Sequence, residues 1–290
     1  MRPLISGLLP CTLLLVACGG GDDDGGSSPT ADPVHMEIER NQAQPLSQLP
    51  TDETDPVRRA VRVLFACGEI DLGDHLSLLD IDEQVEGSGG GSFDFRETID
   101  EEVDVDADGD VDFAVDGPVA NYGEVEEVTQ DGDTEYYGEW TIEADLSASV
   151  LGGRPSYEDG DLTLTLTSGA FDGNMDVTVT HSPSATITVG TLYAQEYRAL
   201  AGEWMDAQGS GTVVVDGGGA LTPVDGGDTF QYRASLDVAF GDGTSVRIEG
   251  EGPVELSWPF EEAVEFWVRV GETVYGPFTN DEITALAGNA

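Results

Sequence analysis

From Phe93 to Phe278 the chain repeats small or apolar side chains at every second position, over unusually long stretches. One stretch contains Tyr136, Gly138, Trp140, Ile142, Ala144, Leu146, Ala148 and Val150, and another contains Phe230, Tyr232, Ala234, Leu236, Val238 and Phe240. Because successive side chains of a strand point to opposite faces, this period predicts strands with one apolar face and one solvent-exposed face. Such strands would exceed the common length of about five or six residues.

Turn signals, rather than helical crossovers, separate these stretches. Gly241-Asp242-Gly243-Thr244 separates one pair, and Gly271-Glu272 separates the last pair with glycine in the first position of a type II′ turn. Antiparallel neighbours are then the simplest topology. The sequence therefore predicts a mainly β fold: a long-stranded antiparallel meander forming a curved sheet, a half-barrel or a sandwich. Charges dispersed through the strands disfavour a transmembrane barrel.

A short helix is predicted before the sheet and another after it. The first has Asp55 as N-cap and Pro56 as its first residue, and Gly68 suits its exit. Its apolar positions form one stripe: Val57, Ala60, Val61, Leu64 and Phe65. The second follows Thr279, which forms a capping box with Glu282 three residues later.

The chain has 58 acidic residues against 11 basic ones and a formal net charge of −47, and it contains no lysine. This balance excludes nucleic acid as a partner, because phosphate contacts need a cationic surface. It also disfavours direct binding to an anionic membrane surface. Two explanations stay open: a surface that collects calcium or a basic partner, and adaptation to a salty environment.

The beginning of the chain is typical of a secreted protein. Arg2 precedes an apolar run from Leu4 to Val16, which is interrupted by Pro10 and is too short to span a hydrocarbon core of about 30 Å. The run ends in Leu15-Val16-Ala17-Cys18, which resembles the lipobox of bacterial lipoproteins. The resemblance implies removal of residues 1–17 as a signal peptide and lipidation of Cys18. It also implies attachment to the cell envelope through acyl chains, and Gly19 favours the outer membrane.

Residues 18–55 are rich in glycine and aspartate and poor in apolar side chains. This composition predicts a flexible acidic tether, because such a segment cannot bury enough surface to fold. Residues 56–290 then form the β-rich domain, with a possible division near 115–135.

One acidic segment has the spacing of a calcium loop. Its carboxylates are Asp104, Asp106, Asp108, Asp110 and Asp112, with Gly109 at the sixth position. Oxygen ligands at positions 1, 3, 5, 7 and 9 around such a glycine suit calcium. The segment resembles loops of the EF-hand type and of integrin-type propeller repeats, which implies a calcium site of structural rather than catalytic role. Two features depart from these families: Val115 stands at position 12 in place of the glutamate of an EF-hand, and the motif occurs once, whereas a propeller would repeat it in several blades. An acidic hairpin turn without an ion is the alternative.

The sequence favours a non-enzymatic role. It has no nucleophile elbow, zinc-binding His-Glu-x-x-His or phosphate-binding glycine loop. Cys67 follows an apolar helical stripe and is expected to be a buried hydrophobic residue. We therefore expect an envelope lipoprotein that binds a protein or small molecule or has a structural role. The alternatives are an envelope hydrolase with a carboxylate site in a sheet cavity and a lipid-handling half-barrel.

Overall fold

The computed structural model describes residues 40–45, 48–49, 56–69, 90–104, 108–130, 133–159, 161–182, 188–189, 192–224, 229–255 and 261–287. The predicted signal peptide, Cys18, most of the predicted tether and Asp106 lie outside these residues.

The described residues form strands, two α-helices and one 3-10 turn. The strands are β1 (Gly90–Val103), β2 (Phe113–Gln130), β3 (Asp133–Val150), β4 (Ser156–Asp159), β5 (Leu162–His181), β6 (Thr188–Val189), β7 (Leu192–Asp206), β8 (Gly209–Pro223), β9 (Thr229–Phe240), β10 (Ser245–Glu255), β11 (Glu261–Glu262), β12 (Glu265–Val270) and β13 (Thr273–Phe278). The helices are α1 (Pro56–Glu69) and α2 (Asn280–Ala287), and the 3-10 turn covers Arg40–Gln42.

All these strands belong to one antiparallel sheet. Their hydrogen-bonded order is β1-β2-β3-β5-β7-β8-β9-β10-β12-β13, while β4 and β6 pair with β5 and β11 pairs with β10. The first and last strands of this order are not paired with each other, so the sheet is open. The predicted mainly β, long-stranded antiparallel fold with a short helix at each end is confirmed. Strands β2 and β3, which cover the possible domain boundary, pair along their length and belong to the same sheet.

The alternating sequence pattern corresponds to a real difference between the two faces of the sheet. In β9 every residue of the predicted apolar set is buried: Phe230, Tyr232, Ala234, Leu236, Val238 and Phe240. The residues between them are half-buried or exposed, and Arg233 and Asp237 form ion pairs there with β10. One face therefore builds the core and the other faces water.

Helix α1 lies against the apolar face and is enclosed by it. Its buried residues are Val57, Ala60, Val61, Val63, Leu64, Ala66 and Cys67, and no residue from Pro56 to Cys67 is exposed. The helix contacts α2 and also β4, β5, β10 and β12, which are far apart in the order of the sheet. An ordinary surface helix keeps one face in water. The sheet therefore curls around α1, with α2 packed beside it.

Bends within the long strands help the sheet to curl. Register shifts interrupt the β5–β7 and β7–β8 pairings at neighbouring positions. Gly169 of β5 (φ 128°) and Gly217 of β8 (φ 124°) have left-handed backbone, and Ala199 of β7 (φ 46°) lies between them. Glycine adopts such angles without the steric cost of a side chain, and bulges increase local bending and twist. The sequence pattern alone did not predict these irregularities.

Two predicted turn motifs at the end of the chain are confirmed. The β12–β13 hairpin has the two-residue loop Gly271-Glu272, and Gly271 has a φ of 59°. At the start of α2, the hydroxyl of Thr279 accepts a hydrogen bond from the N–H of Glu282 at 3.2 Å. The carboxylate of Glu282 accepts one from the N–H of Thr279 at 2.9 Å. These reciprocal bonds satisfy two backbone donors at the helix start.

The segment that precedes α1 covers the outer edge of β13. The N–H of Gln44 donates to the carbonyl of Val274 at 2.7 Å, and the N–H of Gly276 donates to the carbonyl of Gln44 at 3.0 Å. The guanidinium of Arg40 lies 4.0 Å from the ring centroid of Trp267. Arg40 and Gln44, which composition assigns to the tether, therefore contact the last two strands of the sheet.

Candidate functional site

The predicted calcium loop connects β1 to β2. Asp104 accepts two hydrogen bonds from the loop backbone, from the N–H of Asp108 at 3.2 Å and from that of Gly109 at 2.9 Å. Asp108 in turn accepts a bond from the N–H of Asp110 at 2.8 Å. Gly109, with a φ of 98°, supplies the left-handed residue that the turn requires. The carboxylates of Asp104 and Asp108 therefore hold the turn.

Asp112 is buried, unlike these exposed carboxylates. It is 1% exposed, and its carbonyl accepts a hydrogen bond from the N–H of Leu151 at 2.8 Å. A side chain on Gly153 would overlap the Asp112 carboxylate, so the glycine allows the turn after β3 to close over it. Asp112 thus anchors the loop to the sheet.

The described part of the loop, which omits Asp106, does not bring a metal-binding set together. Among the residues described, no three His, Cys, Asp or Glu side chains are grouped as metal ligands. Calcium binding therefore stays a prediction, and Asp104, Asp108 and Asp110 are its exposed candidate ligands among the described residues. Comparison with protein-family models, curated proteins and solved structures gave no match.

Helix α1 packs against the apolar face of the curved sheet, with α2 beside it. Among the described residues, a small apolar space with no room for a water molecule lies between α1, α2 and β10. It is lined by Val61, Leu64, Phe65, Ile248 and Ile283. This space contains no polar group that could act on a substrate. Within the described residues, no helix is both long and apolar enough to cross a membrane.

Two arginines connect α1 to turns at the rim of the sheet. Arg59 pairs with Asp242 at 3.3 Å in the β9–β10 turn. Arg62 pairs with Asp161 before β5 and lies 3.6 Å from Asp206 at the end of β7. Two of the three arginines of α1 thus pair with carboxylates of other elements. These contacts fix the helix within the sheet.

A second apolar cluster lies towards the β1 edge, away from α1. Its buried members are Val125, Trp140, Ile142, Val177 and Val179, and Phe93, Tyr136 and Met175 pack against it. All come from β1, β2, β3 and β5. The sheet therefore extends its apolar face beyond the part that the helices cover.

Asn121 of β2 is a buried polar residue that the sequence reasoning missed. It is 1% exposed and lies between Phe95 of β1 and Ile142 of β3. Its amide nitrogen and oxygen form no hydrogen bond, and neither does Nε1 of Trp140, which lies diagonally across the strand pair. Leaving a buried amide unpaired costs about 1–3 kcal/mol. A polar residue at an inward position of an alternating strand is the signal that could have found it.

Two further side chains of types that can take part in catalysis, Cys67 and His181, pack against neighbouring groups. Burial raises the pKa of the Cys67 thiol to about 12, so it is not a thiolate near neutral pH. His181 stacks on Tyr137, with ring centroids 4.7 Å apart. Cys67 lies in α1, whereas His181 lies at the end of β5.

Proposed function

We propose that this chain is a membrane-anchored lipoprotein of the cell envelope, held in the outer membrane by acyl chains on Cys18. Its β-rich body binds a partner on the outside of the sheet and does not carry out chemistry in a central cavity. Calcium, where it binds, holds the β1–β2 loop in a structural role. The anchor rests on the resemblance of residues 15–18 to a lipobox, and the binding role rests on the packing of the body.

The proposed binding role rests on one observation, the enclosure of α1 by the sheet. No residue from Pro56 to Cys67 is exposed, so the concave face around this helix is used for the core. A hydrolase with its site in a sheet cavity, or a half-barrel that handles lipid, would need that face open to a ligand. Among the described residues, the surfaces that we propose for a partner are the water-facing side of the sheet and its uncovered edge.

The lipid anchor is tested by replacing the cysteine of the lipobox. Cys18→Ser is expected to abolish incorporation of labelled palmitate and to move the protein out of the membrane fraction. Cys11→Ser is the matched control, because it removes a thiol from the same segment and leaves residues 15–18 unchanged. Normal acyl labelling of Cys18→Ser would overturn the proposal.

The closed interior is tested with a fluorescent apolar probe. Purified protein lacking residues 1–18 is titrated with N-phenyl-1-naphthylamine, whose emission rises in an apolar site. We expect no stoichiometric binding. Saturable binding of one probe per chain would instead support the lipid-handling half-barrel.

A further inference from the structure

Strand β1 forms the uncovered edge of the sheet. It pairs with β2 on one side, and in the described part of the chain nothing but β2 hydrogen-bonds to the backbone of residues 91–102. The opposite edge, β13, is covered by Gln44. An uncovered edge presents a row of backbone donors and acceptors that another strand can pair with.

The side chains of this edge carry a strong negative charge. Its acidic residues are Asp94, Glu97, Asp100, Glu101 and Glu102, and all are exposed. The one cation of the strand, Arg96, is hydrogen-bonded to Asp94 at 2.8 Å. A second copy of the chain would bring the same charges together, so the edge is unsuited to pairing with itself.

The register adds a specific electrostatic mismatch. Asp100 of β1 lies directly opposite Asp116 of β2, and both are exposed. Like charges at directly opposed positions destabilise a strand pair. A cation beside Asp100, on a strand added to the outer side of β1, would compensate this repulsion.

The face of the edge that carries Phe93 and Phe95 is mixed, because Glu97 and Glu101 lie on the same side of β1. Phe93 and Phe95 have ring centroids 6.2 Å apart, and Phe95 is 41% exposed although it lies on the apolar side of the sheet. A strand that alternates cationic and apolar residues would therefore place cations beside Asp94, Asp100 and Glu102 and apolar side chains beside Phe93 and Phe95.

We propose that β1 is a docking edge, to which an extended and positively charged protein segment adds as a further antiparallel or parallel strand. The proposal builds on the binding role proposed above and names its surface and the chemistry of the partner. It does not depend on the lipid anchor. A negative result in the Cys18 experiment would therefore contradict the anchor alone, and a negative result in the experiment below would contradict docking at β1 alone.

The test uses a labelled peptide of about twelve residues with alternating lysine and valine, long enough to cover most of the edge. Binding is followed by fluorescence anisotropy at about 0.15 M salt, where distant charges are screened. The edge-neutral variant combines Asp100→Asn, Glu102→Gln and Asp116→Asn. The matched control combines Glu203→Gln, Asp216→Asn and Glu265→Gln, which removes the same charge from exposed positions elsewhere on the sheet.

The edge-neutral variant is expected to bind the peptide at least about tenfold more weakly, because several cross-strand charge pairs are lost. The control is expected to change affinity by less than about twofold, since its charges lie beyond the screening length. Equal weakening in the two variants would show attraction to the overall negative charge only and would overturn the proposal.

Strand addition is separated from plain charge attraction by two further measurements. A peptide N-methylated at alternate residues keeps its charge but loses backbone donors, and it should bind much more weakly. Amide hydrogen exchange should slow within residues 91–102 when the unmodified peptide binds. Equal binding of the methylated peptide, or protection located elsewhere, would contradict docking at β1.

Discussion

The guanidinium group of Arg59 lies over the indole ring of Trp204, with its Cζ atom 4.3 Å from the ring centroid. The same group lies 5.0 Å from the ring centroid of Phe240. Trp204 belongs to β7 and Phe240 to β9, so one side chain of α1 connects the helix to two strands of the sheet. Gly211 of β8 lies opposite Trp204, and its lack of a side chain leaves space for the indole ring.

Arg59→Ala is expected to lower the free energy of unfolding by about 1–2 kcal/mol. The loss comes mainly from the cation–π contacts, because the ion pair with the exposed Asp242 contributes little. Urea denaturation measures the change. Arg154→Ala, which removes an exposed arginine, should stay within about 0.5 kcal/mol. Equal effects of the two substitutions would mean that the stacked arginine does not fix α1.

Gly217→Ala is expected to lower the free energy of unfolding by about 2–3 kcal/mol, because the left-handed backbone is strained for alanine. The new Cβ would also overlap the carbonyl oxygen of Ser235. Thermal unfolding should show a decrease of about 5–10 °C for a chain of this size. Gly152→Ala is the control, since a Cβ there meets nothing within 4 Å. A loss no larger than that of the control would argue against the bend in β8.

The period-two pattern was sufficient to predict a mainly β fold of long antiparallel strands, and local sequence signals predicted the two motifs at the end of the chain. These features depend on local rules: alternation, a glycine in a two-residue loop, and a capping box between Thr279 and Glu282. The stripe on α1 was also predicted, but its complete enclosure was not. A stripe indicates one buried side, whereas the burial of Arg59 and Arg62 depends on aspartates that are distant in the sequence.

The candidate sites were harder to predict than the fold. The acidic segment does turn at Gly109, but its spacing did not indicate that Asp112 is buried, unlike the exposed Asp104 and Asp108. Asn121 went unnoticed because a single polar residue barely alters an alternating pattern. The docking of Gln44 on β13 depends on backbone hydrogen bonds, which composition does not encode.

Glu251 should make stability depend on pH in the acid range. Burial acts to raise the pKa of its carboxyl, but the hydrogen bond and charge of Arg40, with those of Arg233, outweigh burial and hold the pKa below its ordinary value. A lowered folded-state pKa means that the stabilisation is fully present above the unfolded pKa of about 4.3 and is lost as pH falls through the folded value.

Glu251→Gln should therefore destabilise the protein by about 1 kcal/mol at neutral pH. The difference from the parent protein should shrink as pH falls below about 4. Urea denaturation at a series of pH values measures it. A difference that stays constant or grows in acid would contradict the assigned ion pairs.

Calcium is expected to raise the melting temperature of the protein. A site with calcium at about 100 times its dissociation constant gains about 2.7 kcal/mol of stability. Asp104→Asn with Asp108→Asn should abolish the rise while keeping oxygen acceptors for the turn. Two controls separate specific binding from general screening of the acidic surface. One replaces calcium by magnesium, and the other is a Glu203→Gln, Asp216→Asn variant, which loses the same charge elsewhere on the sheet. An equal rise of the melting temperature with magnesium, or no rise with calcium, would contradict a calcium site in this loop.

Attachment of the lipid is tested by mass spectrometry of the amino-terminal peptide from protein purified out of its native membranes. We expect a peptide that begins at Cys18 and carries acyl chains on its thiol. A peptide that retains residues 1–17, or that begins at Cys18 with an unmodified sulfur, would contradict an acyl-anchored envelope protein.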